Sequence, residues 1–301
     1  MKKGQAPVLI VLPFVVFLGS CARHSAPPPL GALVLHSSAE KLSLAPGVPL
    51  LFPPEGVDRV QYATATFAPD LAFDIYYPPD SDRSHPLPVT VLANGLDDDE
   101  IRRVDNAALK DLAMLVSWGR AFAASGFAAV TYDSREQPLR RGEAPKAPAS
   151  TLLLLAFLER HAAELGIDGT KIGFYSMGET GIGLQRVLSG ASAALRRNFR
   201  CATFNYAALD KDILPATKLP ILLVRPGHAD QGILFGIDDW AGALRGKAIP
   251  VEVWGVPTGG FNFDYMVNND DTRAAISKIL EFMKHGLLDS GSGDAAAPPK
   301  K

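Results

Sequence analysis

Along most of this chain, short unbroken apolar runs take turns with longer segments whose apolar residues recur at helical intervals. Leu87–Ala93 (LPVTVLA) and Phe127–Tyr132 are runs of the first kind, with the β-branched content that strands buried on both faces require. Between them, Ala107–Ser125 spaces Leu109, Leu112, Leu115, Val116 and Phe122 as a helix would and stops at Gly126, a residue suited to a helix C-terminus. The same alternation predicts strands at Val60–Phe67, Leu71–Tyr77, Ile172–Tyr175, Cys201–Tyr206, Pro220–Arg225 and Val251–Trp254. It predicts helices at Ser150–Leu165, Glu179–Leu188, Gly232–Leu244 and Thr272–Gly286. Strands followed in turn by helices of this length imply an α/β fold, a mainly parallel central sheet with helices on both faces. In such sheets, ligands are met by the loops leaving the carboxyl ends of the strands.

Both ends of the chain depart from this pattern. Met1, Lys2 and Lys3 precede the apolar run Val8–Leu18, which ends in Leu18, Gly19, Ser20 and Cys21. That run is shorter than the roughly 20 residues needed to span a bilayer. A positive start, a short apolar core and small residues before a cut describe a secretory signal peptide over residues 1–20. The ending is similar to the bacterial lipoprotein signal. That resemblance implies cleavage before Cys21, lipidation of its thiol, and a lipid-anchored, extracytoplasmic place in the cell envelope of a bacterium. An ordinary signal peptide that happens to contain a cysteine is the plainer reading. Residues 21–56 hold Pro27, Pro28, Pro29, Pro46, Pro49, Pro53 and Pro54 and read as an extended tether, followed by one domain over 57–287. Residues 288–301 read as a disordered tail.

Removing residues 1–20 leaves 28 basic against 32 acidic side chains, which gives no electrostatic case for nucleic acid. With Cys21 lipidated, Cys201 is the last cysteine and has no partner for a disulfide; in the apolar run CATFNYAAL it reads as a buried, inert thiol. At 47% hydrophobic content the remaining length fills one large core, burying roughly 75% of its unfolded surface.

The candidate chemistry gathers at Lys171–Gly183 (KIGFYSMGETGIG), where an apolar run stops at a serine and restarts, past small residues, as a helix. A strand, a sharp turn and a helix are how nucleophilic hydrolases expose their serine, in the pattern G-x-S-x-G. Ser176 and Gly178 are present, with Phe174 where the first glycine would stand. Around this stretch lie DIYYPPD, PVTVLANG, VSWGRAFAASGFAAVTYDSR, LPILLVRPGHAD and PTGGFNFD, in that order. On these segments the chain from about Phe73 to Leu287 resembles the α/β-hydrolase fold and, within it, the dienelactone-hydrolase-like esterases.

The resemblance implies a serine nucleophile on the elbow, an acid after the strand at Pro220–Arg225, and a histidine base after the last strand. At each position this sequence departs from the family. Relatives read like GPHAFD where this chain has Gly259–Asp264, so the base falls on Phe261, which cannot accept a proton. At the acid, an ungapped match gives Ala229, and one inserted residue gives Asp230. At the elbow, counting from Ile172 without a gap puts the nucleophile on Gly178, with Ser176 two residues before it. A contraction of two residues puts it on Ser176 instead.

Three readings follow. One is a hydrolase scaffold with a lost or altered triad that keeps a small-molecule or partner pocket. The second is an active serine esterase or lactone hydrolase using Ser176, with His228 as base and Asp230 as its orienter; the bland alternative for His228 is a solvated loop residue. The third is an envelope protein whose pocket is filled and which binds a partner.

The predicted pocket and oxyanion region comprises Asn94 and Gly95 after the central strand, Met177, Gly178 and Glu179 at the elbow, and Phe261 and Asn262 at the missing histidine. Glu179 suits a helix N-terminus, where a carboxylate meets unpaired amides, and is also a candidate catalytic acid. Asp97, Asp98, Asp99 and Glu100, with Asp105, lack the regular spacing of calcium loops and read as a solvated acidic rim, so no metal is expected. An acidic mouth disfavours anions and favours a small uncharged ester, lactone or related ligand. No cofactor is called for and no protein partner is named by any feature. Asn262, Asp264 and Tyr265 either hydrogen-bond a ligand or face water while Phe261 and Phe263 fill the pocket. Asn268–Asp271 reads as a turn and helix cap.

Overall fold

Phe174 and Tyr175 are neighbours in one strand and enter different cores, as the two-residue period of a strand buried on both faces dictates. Phe174 joins Phe73, Phe157, Leu184, Phe204 and Trp240; Tyr175 joins Trp118, Phe122, Ile276 and Met283. The computed structural model describes residues 29–94, 98, 102–103, 106–135 and 147–289. Among these, nine strands form one sheet: β1 (His36–Ser37), β2 (Gln61–Ala68), β3 (Leu71–Tyr77), β4 (Leu87–Leu92), β5 (Ala128–Tyr132), β6 (Ile167–Met177), β7 (Phe199–Asn205), β8 (Ile221–Pro226) and β9 (Val251–Val256). Their spatial order is β1-β2-β3-β5-β4-β6-β7-β8-β9. The first four in that order pair antiparallel, and β5 through β9 run parallel. The signal segment with Cys21, and most of the C-terminal tail, lie outside the described residues.

The helices lie on both faces, as the alternation predicts: α1 (Ser38–Leu44), α2 (Ala113–Ala124), α3 (Ala149–Arg160), α4 (Thr180–Gly190), α5 (Gln231–Gly246), α6 (Phe263–Met266) and α7 (Asp270–Lys284). Side-chain caps open α5 and α7. The Asn269 side chain accepts from Thr272 N at 2.9 Å and opens α7, as the Asn-Asp run suggests. Asp230 does the same for α5, accepting from Gly232 N at 2.7 Å. Among the described residues no helix is long and apolar enough to cross a membrane.

Two expectations are corrected. First, part of the tether is folded onto the domain. β1 pairs with β2, α1 follows it, and Leu50 is buried with its N–H on Ser117 Oγ at 2.9 Å. Lys41 of α1 ties the segment down, its Nζ lying 2.7 Å from Asp74 and 2.6 Å from Asp111. Lys110 completes the cluster at 3.2 Å and 2.8 Å from the same two acids. Burial pushes the Lys110 ammonium down, but Asp74 and Asp111 outweigh it and hold its pKa above the ordinary lysine range. Second, the predicted strand Ile172–Tyr175 is longer, running from Ile167 through Met177. Ser176 therefore lies inside the strand, paired in register with Phe204 of β7. A serine does not end a strand whose neighbours on both sides supply the ladder.

Candidate active-site pocket

The turn between β6 and α4 is Gly178–Glu179, and its apex is Gly178. That residue has φ of +53°, a left-handed conformation that favours glycine. Its N–H donates to Asn205 O at 3.2 Å, and its carbonyl accepts from Ala208 N at 2.9 Å, so β7 and the loop after it hold the turn from both sides. Thr180 locks the entry to the helix: its Oγ1 accepts from Met177 N at 3.1 Å and donates to Met177 O at 2.9 Å. Glu179 stands at the N-terminal position of α4, exposed and with no side-chain capping bond. Ser176 stands two residues before this apex.

Above the turn is a cavity of about 220 Å³ at the carboxyl end of the sheet, lined in part by Ala93, Leu115, Ser176, Gly178, Tyr206 and Phe261. Of the predicted pocket residues, Met177, Gly178, Glu179, Phe261 and Asn262 line it. Phe261 packs edge-on against Tyr206, with ring centroids 5.2 Å apart. A β-carbon on Gly178 would lie 3.0 Å from Phe261 Cζ, so the apex and Phe261 face each other directly. Ser176 is also among the lining residues; its Oγ is buried and has no hydrogen-bond partner among the described residues. Tyr206 and Asn262 adopt φ of +38° and +61°, conformations costly for non-glycine residues that tend to gather at ligand sites. Glu179 is the single charged residue among the described lining, and it stands at the rim.

The remaining predicted residues are elsewhere. His228 and Asp230 are exposed and outside the lining; His228 N donates to Gly259 O at 2.9 Å, and Asp230 serves as the α5 cap. Asn94 is buried beside the cavity, with its N–H on Tyr132 Oη at 2.9 Å and its amide on Asp98 at 3.3 Å. Gly95, Asp97, Asp99, Glu100 and Asp105 lie outside the described residues. Asp98 is no solvated rim residue: it is buried and accepts from Leu109 N at 3.1 Å and Ser134 N at 2.6 Å. Burial, only partly offset by these bonds, raises its pKa. Among the described residues no group of three or more His, Cys, Asp or Glu could hold a metal.

Asp264 and Tyr265 likewise face inward rather than toward water. Asp264 Oδ2 accepts from Trp118 Nε1 at 2.9 Å and from Asn205 Nδ2 at 3.2 Å. Burial pushes its carboxyl up to about 7, against the pull of the Trp118, Tyr206 and Tyr265 hydrogen bonds. The hydroxyls of Tyr206 and Tyr265 both reach Met177 Sδ, at 3.4 Å and 3.2 Å, so this polar cluster underlies the elbow. Sequence reasoning missed Tyr206, Met114 and Leu115 as lining residues, because each sits in an apolar run that reads as core.

No family model matches the sequence, and no curated protein matches it. Solved structures do. The native thermophilic esterase Est2 of the planctomycete Thermogutta terrifontis is similar with a TM-score of 0.57 at 16% identity, covering 81% of this chain and 98% of that one. Its propionate-bound form gives a TM-score of 0.58 at 18% identity, covering 84% of this chain and 100% of that one. The form phosphorylated by paraoxon gives 0.55 at 18% identity, covering 84% and 96%. Together with the sheet order and the strand-turn-helix at Gly178, the likeness establishes that this chain has the α/β-hydrolase fold.

Proposed function

We propose that this chain is a lipid-anchored protein of the bacterial cell envelope whose esterase-like domain binds a small uncharged ester, lactone or related molecule and no longer hydrolyses it. The observation that carries the reading is Gly178 at the apex of the elbow, with Phe261 against it. A glycine offers no oxygen to attack a carbonyl, and a phenyl ring accepts no proton, so both groups that make and break bonds in a serine hydrolase are missing from their places. The cavity persists beside them, apolar and open at its rim. Binding without chemistry is what such a site supports. The anchor rests on Cys21 and the signal-like run before it.

A second reading, a serine esterase built on Ser176, is favoured by one observation: Ser176 is among the residues lining the cavity, and its buried Oγ has no hydrogen-bond partner among the described residues. Labelling the Cys21→Ser protein with a fluorophosphonate probe decides between the two. No adduct in the folded protein, with a heat-denatured control as background, is expected. An adduct on Ser176 that depends on the fold would overturn the non-catalytic reading. The anchor is tested separately: Cys21→Ser is expected to release the protein from the membrane fraction, and full retention would remove the assignment.

A further inference from the structure

A second cavity, of about 230 Å³, lies beside the first and shares Met114 and Asn262 with it as a common wall. Its outer side is built by Val48, from the segment that α1 and Lys41 tie down, and by Met266 at the end of α6. Val48 is 56% exposed and Met266 73% exposed. Among the described residues, no charged one lines this outer cavity. Each cavity alone falls short of the roughly 300 Å³ at which ligand pockets begin, and the two together exceed it. Met114, at the start of α2, is half-buried, and an unbranched thioether with three rotatable bonds moves aside at little cost. At the inner end, Ser176 is among the lining residues, and its buried Oγ has no hydrogen-bond partner among the described residues.

We propose that the two cavities form a single two-lobed site for an uncharged ester or lactone with a long unbranched alkyl tail. The carbonyl oxygen meets Ser176 in the inner lobe, and the tail passes Met114 into the outer lobe against Val48 and Met266. This rests on the binding function proposed above and adds the ligand's length and polarity. An uncharged occupant follows from the described lining, whose one carboxylate, Glu179, is exposed at the rim and free to stay in water.

The test is isothermal titration of the Cys21→Ser protein with γ-hexalactone, which has a short tail, and γ-dodecalactone, which has a long one. Burial of a methylene strengthens binding by about fourfold, so the long lactone is expected to bind at least about tenfold tighter even with much of its tail unburied. In Val48→Asp/Met266→Asp, whose positions are exposed and tolerate charge, the ratio of the two affinities is expected to fall to near one. Met114→Trp, which blocks the passage from the inner side, is expected to do the same. Equal binding of both lactones by the unaltered site, or a ratio that survives these substitutions, would overturn the two-lobed site and leave the inner pocket standing. Failure of both lactones to bind would overturn the binding function itself and this site with it.

Discussion

Phe261 closes over Gly178 so tightly that a β-carbon on residue 178 would come 3.0 Å from the edge of its ring. Residue 178 also holds φ at +53°, so two costs meet in Gly178→Ala. The left-handed backbone costs an L-residue about 1–2 kcal/mol. The contact costs less, because the Phe261 ring is 43% exposed and has room to swing away. Gly178→Ala is therefore expected to lose about 1–2 kcal/mol in urea unfolding. Adding Phe261→Ala should recover only a small part of that loss. If the double variant regained most of it, crowding rather than backbone strain would be the reason for glycine here.

Asp74 carries the docking of the N-terminal segment. It is fully buried and takes hydrogen bonds from Lys41, Lys110 and, at 2.5 Å, Thr64 Oγ1. Removing one side of a buried ion pair strands the other and costs about 3–5 kcal/mol. Asp74→Ala is expected to fall in that range, since two ammonium groups are left facing Asp111 alone. Lys41→Ala should cost less, because Lys110 still neutralises Asp74. Denaturant midpoints measure both, and near-identical small losses would mean that water screens the cluster.

The central sheet was legible because β4 and β5 are continuous apolar runs, and the helix stops at Gly126 and Gly166 are backbone signals local to the sequence. The elbow was half-legible. Its existence follows from the run into Ser176, but its apex depends on where β6 ends, and the pairing of Ser176 with Phe204 is a long-range fact that no local pattern carries. The folded part of the tether was hidden for a similar reason. A seven-residue helix between prolines has little periodicity, and the lysine that docks it finds its carboxylate 33 residues away. Asp264 reads in sequence as one more polar residue after a turn; its burial is set by Trp118, more than a hundred residues earlier.

Cys201 is the thiol that remains once Cys21 is replaced. It is fully buried, and burial pushes its pKa up to about 12. Gly286 sits so close that a β-carbon there would lie 2.6 Å from Cys201 Sγ, leaving no path for a reagent. Reaction needs the thiolate as well as access. The folded Cys21→Ser protein is expected to be inert to a thiol-reactive dye over hours at neutral pH, and to bind one equivalent in denaturant. Rapid labelling of the native protein would show that the segment around Gly286 opens far below the global unfolding energy.

Asp264 gives the sharpest dependence on pH. An ordinary aspartate ionises near 3.9, whereas burial among Trp118, Tyr206 and Tyr265 raises this one to about 7. The folded state therefore keeps its proton where the unfolded chain has lost it. The stability this contributes is fully present below about pH 4 and is lost as pH rises through about 7. Asp264→Asn keeps an oxygen for the Trp118 indole and removes the titration. The stability of the native sequence relative to Asp264→Asn is thus expected to fall by up to about 4 kcal/mol between pH 4 and pH 8. Urea unfolding of both proteins across that range measures it. A difference that stays flat would mean that Asp264 is ionised inside the fold, and that its hydrogen bonds outweigh its burial.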